Sequence, residues 1–168
     1  GGGSGGITVA ARLRNADRDL DIAIIEPNAN HWYQPLWTLV GGGVATVEET
    51  RRDEARLIPY GVVWIKDRAL AIDPEAKRVT LGDGSIVEYG QLVVAIGIAY
   101  DWDKVKGLRD AVGKNGVVSN YEPHLAASTW RELQAFQGGK MVFTNPSGQI
   151  KCGGAPQKIM YLAEHYLR

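Results

Sequence analysis

The sequence predicts an α/β fold with a small antiparallel β insert, on three observations. Short apolar runs of strand length alternate with amphipathic stretches of helix length. Glycine-rich turns fall where one kind gives way to the other. An Asp83-Gly84 pair stands between two strand-like runs, which is a strong hairpin signal.

Taken in order, the glycine run at 1–6 leads into a helix pattern at 7–14. Residues 21–25 read as a short buried strand. Pro27 closes it, because proline has no amide hydrogen for a central ladder. The aromatic stretch 31–40 reads as a loop and short helix, and the charged stretch 48–58 as helix-compatible. Strands are expected at 62–65, 68–73, 78–81 and 86–87, with the hairpin turn at Asp83-Gly84. A further apolar strand is expected at 91–96, ending at Gly97. An amphipathic helix follows at 125–136, closed by Gly138-Gly139. The last elements are a strand at 140–144 and a helix at 155–167, with Pro156 in its first turn.

Composition narrows the function. The 168 residues suit one domain, or one domain and the start of another. Nineteen basic residues balance nineteen acidic ones, which argues against nucleic acid as a partner because phosphate binding leaves a basic excess. The longest apolar stretch is 92–96, far short of the ~20 residues a membrane-spanning helix needs. The single cysteine, Cys152, excludes an internal disulfide. The three histidines lack metal-ligand spacing, so no metal site is expected, and His124 and His165 read as surface residues.

Three motifs carry chemistry. Gly1-x-Gly3-x-x-Gly6 opens a helix, and such a loop lets a pyrophosphate approach the backbone at a helix amino end. A Gly/Ser run at the start of a chain also has the composition of a linker. Glu26 favours the nucleotide reading. It stands at a strand end twenty residues after Gly6, where a carboxylate can bind ribose hydroxyls. The second motif, 92–97, is a strand ending in Ala-Ile-Gly, so backbone at Gly97 could pass close to a cofactor or could simply stop there. In the third, Lys151-Cys152-Gly-Gly-Ala-Pro156, a thiol precedes a helix and follows a lysine. Helix dipole and cation both favour a reactive thiolate, against the alternative of an inert buried cysteine.

Together these stretches resemble the sulfide:quinone oxidoreductase family, in its mitochondrial-type branch. The matching segments are GGGSGGIT (1–8), IIEP (24–27), HWYQPLWTLVGGG (31–43), IPYGVVWIK (58–66), YGQLVVAIGI (89–98), KGL (106–108), SNY (119–121) and KCGGAPQKIMYLAEHY (151–166). HWYQPLWTLVG and KCGGAPQKIMYL are far more specific than the glycine loop.

The resemblance implies a Rossmann-like, three-layer FAD-binding domain at 1–110. Residues 111–168 would be a connecting segment and the beginning of a second nucleotide-binding-like domain. No strand precedes Gly1 and no stop signal follows Leu167, so an amino-terminal piece of a longer chain is expected. The cofactor implied is FAD, held by Gly1, Gly3, Ser4, Gly5, Gly6, Glu26, Gln34, Ala69 and Gly97. Cys152 would be the flavin-side redox cysteine, its partner lying outside this sequence. The implied reaction oxidises sulfide to sulfane sulfur, passes electrons to quinone, and hands sulfur to an acceptor such as sulfite or glutathione. Association with the surface of a bacterial or mitochondrial inner membrane is implied through other regions of the chain. The alternatives are a type II NADH:quinone oxidoreductase-like flavoprotein and a non-catalytic nucleotide-binding fragment.

Overall fold

The structure is a computed structural model that describes residues 1–148 and 150–168. The chain divides into two compact units. The first comprises residues 1–32 and 52–99, the second residues 33–51 and 100–168.

In the first unit, helix α1 (Ser4–Ala16) leads to strand β1 (Ala23–Ile25). β1 pairs in parallel with β4 (Val63–Ile65), in the register Ala23 to Val63 and Ile25 to Ile65. A parallel pair needs a long crossover rather than a tight turn, and here it spans Glu26 to Val62. Ile24, the middle residue of β1, and Ala10 of α1 are buried. A meander of β5 (Ala69–Asp73), β6 (Arg78–Leu81) and β7 (Ile86–Glu88) forms the antiparallel insert, with Val79 and Leu81 of β6 buried. The β6–β7 turn forms where expected. Gly84 takes φ +85°, a left-handed value that disfavours other side chains, and the Leu81 amide donates to the Ser85 carbonyl at 2.8 Å. Strands β2 (Asn30–Trp32) and β3 (Arg51–Asp53) form a separate two-stranded pair.

The second unit is helical. Helix α2 (Trp37–Gly41) lies against α4 (Pro123–Ala135) and α5 (Ala155–Leu167), and a short α3 (Leu108–Ala111) precedes them. Its buried apolar residues are Trp37, Val40, Leu125, Ala126, Leu133, Ile159 and Ala163. With buried Thr129 they recur at helical spacings of three and four on α4, and at a spacing of four on α5, which is what an inward-facing stripe requires. The glycines of α2 permit close packing: a Cβ on Gly42 would stand 2.8 Å from the Cβ of Leu162.

Three expectations are corrected. Residues 91–96 and 140–144 join no ladder among the described residues, and Val94, Ile96 and Val142 are exposed. Apolar β-prone sequence supplies only half of a strand. The other half is a partner for its amides and carbonyls, and no described strand provides one. The stretch 48–58 is not one helix. Single turns at Glu48–Thr50 and Glu54–Arg56 flank β3, and the Asp53 carboxylate caps the second by accepting from the Ala55 amide at 3.1 Å.

Candidate functional site

The first unit holds the glycine loop. α1 starts at Ser4 after Gly3, and its first backbone bond runs from the Ile7 amide to the Gly3 carbonyl at 3.1 Å. The amides of Ser4, Gly5 and Gly6 therefore have no partner within the helix. No side chain caps this end, and its first turn carries no acidic residue. It is an open, partially positive terminus of a 13-residue helix.

Around it the backbone is packed too closely for side chains. A Cβ on Gly1 would fall on the Ala95 carbonyl oxygen, and one on Gly6 would fall on the Gly1 carbonyl oxygen. A Cβ on Gly3 would meet nothing within 4 Å, so that face of the loop is open. Ala95 belongs to the expected 92–97 motif, so that segment does run beside the loop. Gly97 itself takes φ +75° with open space around it.

Glu26 follows β1 directly. Its amide donates to the Ile65 carbonyl at 3.0 Å, and its own carbonyl accepts from Trp64 Nε1 at 2.8 Å. The carboxylate reaches the loop: the Gly2 amide donates to Oε2 at 2.9 Å, while Oε1 accepts from the Asn28 amide at 2.8 Å and from Asn28 Nδ2 at 2.6 Å. An open helix terminus, a cradle of glycine backbone and an adjacent carboxylate are the parts a dinucleotide needs, and these residues fit one. Ala69 opens β5, pairs with Leu81 and is exposed.

Two residues beneath the loop escaped sequence reasoning. His31 Nδ1 lies 3.3 Å from the Gly2 carbonyl oxygen and 3.6 Å from Glu54 Oε2. Glu54 is 1% exposed, and its Oε1 has no hydrogen-bond partner. Burial holds its carboxyl above the usual range, opposed by His31 and reinforced by Glu26. A glutamate in a charged stretch gives no sign that it will be buried.

The second unit holds Cys152. The residue is exposed and takes φ +62°, a left-handed value uncommon outside glycine. Its carbonyl accepts from the Ala155 amide at 3.0 Å, turning the chain into α5. That helix has no side-chain cap and no acidic residue in its first turn. Lys151 does not point to solvent. Its Nζ donates to Gln34 Oε1 and to the Tyr100 hydroxyl, and it faces the rings of Tyr100, Trp37 and Tyr121 at 4.7, 4.9 and 5.5 Å. The Tyr121 hydroxyl donates to the Lys151 carbonyl at 3.4 Å. Burial pulls the Lys151 ammonium down to about 8 and pushes the Tyr100 phenol up to about 12. Thus Gln34, expected at the cofactor, is joined to the residue preceding the expected redox cysteine. The aromatic box was not expected, although the aromatic density of 31–40 was its visible trace.

Among the described residues no group of three metal-ligating side chains occurs. His124 is exposed beside Glu122, and His165 is exposed near the end of α5. An apolar groove of about 620 Å³ runs between residues 140–143 and the carboxy-terminal half of α5, at the opposite end of that helix from Cys152. No helix among the described residues is long and apolar enough to cross a membrane.

Comparison with known proteins gives a consistent result. The family described as Pyridine nucleotide-disulphide oxidoreductase matches residues 1–128. The mitochondrial sulfide:quinone oxidoreductase of Dictyostelium discoideum is 44% identical over 170 residues, covering 100% of this chain and 38% of that protein. The mitochondrial sulfide:quinone oxidoreductase of Mus musculus is 42% identical over 168 residues, covering 100% and 37%. Among solved structures, the sulfide:quinone oxidoreductase from the hyperthermophilic bacterium Aquifex aeolicus superimposes with a TM-score of 0.70 at 29% identity. That match covers 80% of this chain and 30% of the other. The chain thus spans under two fifths of the length of these curated relatives.

Proposed function

We start from the fact that this chain belongs to the pyridine nucleotide-disulphide oxidoreductase family, and we propose that it is the cofactor-binding and thiol-bearing part of a sulfide-oxidising flavoprotein. One observation carries the reading: the hydrogen bond from the Gly2 amide to Glu26 Oε2, which sets a carboxylate beside an open helix terminus. The relatives, similar along the whole chain, support it and supply the chemical class.

In this reading residues 1–110 form the FAD-binding domain, and 111–168 lead into a second nucleotide-binding-like domain. The amides of Ser4, Gly5 and Gly6 receive the pyrophosphate, with Gly1, Gly3 and Gly6 keeping the approach clear. Glu26 binds the ribose. Gln34 and backbone at Ala69 and Gly97 make further contacts to the cofactor. A flavin held by these residues would supply two-electron transfer between the thiol pair and a quinone.

Cys152 supplies the thiol. Hydrosulfide attacks a disulfide between Cys152 and a cysteine outside this sequence. One sulfur–sulfur bond breaks and another forms, giving a persulfide on one cysteine and a thiolate on the other. An acceptor such as sulfite or glutathione then takes the sulfane sulfur and leaves a second thiolate. Loss of two electrons from the pair restores the disulfide. The chain's contribution is an exposed sulfur that follows Lys151 in sequence and precedes the uncapped terminus of α5. Membrane attachment belongs to other parts of the longer protein.

The test uses the full-length protein carrying this segment. Expected are a bound flavin and bleaching of its absorbance by sulfide without NADH. Cys152→Ser should keep the flavin and lose the bleaching. Bleaching by NADH alone would favour the NADH:quinone class, and a colourless protein would sink the flavin assignment.

A further inference from the structure

The Gly2 peptide is held from both sides by ionisable groups. Its amide donates to Glu26 Oε2 at 2.9 Å. Its carbonyl can only accept, so His31 Nδ1, 3.3 Å away, carries the hydrogen that it receives. The same Nδ1 lies 3.6 Å from Glu54 Oε2, with the His31 and Glu54 side chains 11% and 2% exposed. The other carboxyl oxygen of Glu54 is buried without a partner and faces the α-carbon of Gly2, where any Cβ would fall on it. Glu54 cannot swing away easily. Its amide is tied to the Ala29 carbonyl at 2.9 Å, and its carbonyl accepts from Leu57 and Ile58 at 2.9 and 3.2 Å.

This arrangement is at odds with an anion site unless something offsets it. Two carboxyl groups flank one residue of a loop whose outward amides would face a diphosphate. An uncompensated buried carboxylate is costly by itself and repels a nearby phosphate. Among the described residues, His31 is a basic side chain that meets both the loop and Glu54, and when protonated it supplies the compensation. Burial also favours the neutral form of Glu54.

We propose that His31 and Glu54 are positioning residues for the dinucleotide: a buried, contacting pair that fixes Gly2 and limits the negative charge under the loop that would oppose a diphosphate. The inference depends on the flavin-nucleotide reading given above. Neither residue touches the ligand; both act through Gly2.

The experiment is a double-mutant cycle in the full-length protein, read as the Kd for FAD on the deflavinated form, with thermal melting of each apo-variant. His31→Leu removes both hydrogen bond and compensation, and is expected to weaken FAD roughly tenfold or more. His31→Asn, which keeps a donor near the Nδ1 position, provides a second background in case the leucine variant does not fold. Adding Glu54→Gln to either background is expected to restore most of the loss, because the uncompensated carboxylate is gone. A merely structural pair would give losses that accumulate, with affinity tracking melting temperature. Unchanged FAD affinity in the His31 variants, or no recovery with Glu54→Gln, overturns the clamp while leaving the flavin reading standing. A wild-type protein that binds no FAD overturns both.

Discussion

Lys151 and Gln34 meet 117 residues apart in sequence, the lysine ammonium donating to the glutamine carbonyl with Tyr100 as second acceptor. Two acceptors and three ring faces favour the charged amine, while burial pulls it to about 8. Lys151 therefore loses its charge as pH rises through about 8, well below the ordinary 10.5 of a lysine. The rate of flavin bleaching by sulfide in the full-length protein should fall on that alkaline limb. Lys151→Arg stays charged, so its rate should hold to higher pH, from a lower plateau because the fit to Gln34 and Tyr100 is lost. An alkaline limb identical in the two proteins would remove Lys151 from the reaction.

Gly2 and Gly3 should separate stability from cofactor binding. A Cβ on Gly2 would fall on Glu54 Oε1 and stand 2.6 Å from Glu26 Cγ, so Gly2→Ala should cost about 1–3 kcal/mol by overpacking. Gly3 is extended, at φ −71° and ψ 178°, with nothing within 4 Å of a Cβ. Gly3→Ala should therefore cost about 1 kcal/mol or less, from the poorer helix cap alone. Its methyl group would nevertheless stand where the diphosphate is expected. Denaturant titration should show the larger loss for Gly2→Ala, and FAD titration a marked loss for Gly3→Ala at nearly unchanged stability.

What could be read from the sequence was what is local. The turn at Asp83-Gly84 and the first turn of α5, with Pro156 in it, depend on neighbouring residues, and both form as expected. Glu26 was readable because a strand end and a spacing together specify its place, and its carboxylate does meet the loop at Gly2. Residues 91–96 failed because a strand is a property of two segments, and the pattern of one cannot reveal a missing neighbour. The His31–Glu54 pair and the box around Lys151 failed for a related reason. Their partners lie far apart in sequence, and a charged residue in a charged stretch looks the same whether it faces water or a buried peptide.

Glu54 makes stability depend on pH in a defined direction. Burial is the leading cause of its raised value, with His31 opposing and Glu26 adding. The folded state therefore favours the protonated carboxyl. Its contribution is fully present below the ordinary 4.5 and is lost as pH rises through the folded-state value. Glu54→Gln is neutral throughout. Relative to wild type, its melting temperature should be nearly equal at pH 4 and higher at pH 8. The gain at pH 8 should be on the order of 1–3 kcal/mol, the usual cost of a buried polar group left without a partner. A constant difference across that range would show that Glu54 does not titrate with folding.

Cys152 holds a left-handed conformation, φ +62°, with its side chain exposed. For an ordinary side chain this costs roughly 1–2 kcal/mol, whereas glycine adopts it freely and loses about 0.5–1 kcal/mol through the flexibility of the unfolded chain. The balance favours glycine by up to about 1.5 kcal/mol. The Cys152 side chain is exposed, so little burial is lost in the change. Cys152→Gly should accordingly melt no lower than Cys152→Ser, while both variants lose reaction with sulfide and with iodoacetamide at this position. Peptide mapping after alkylation of the reduced wild type should show Cys152 modified without denaturant. A glycine variant clearly less stable than the serine one would mean that the loop draws stability from the side chain, and that the backbone there is not held against its own preference for the sake of the sulfur.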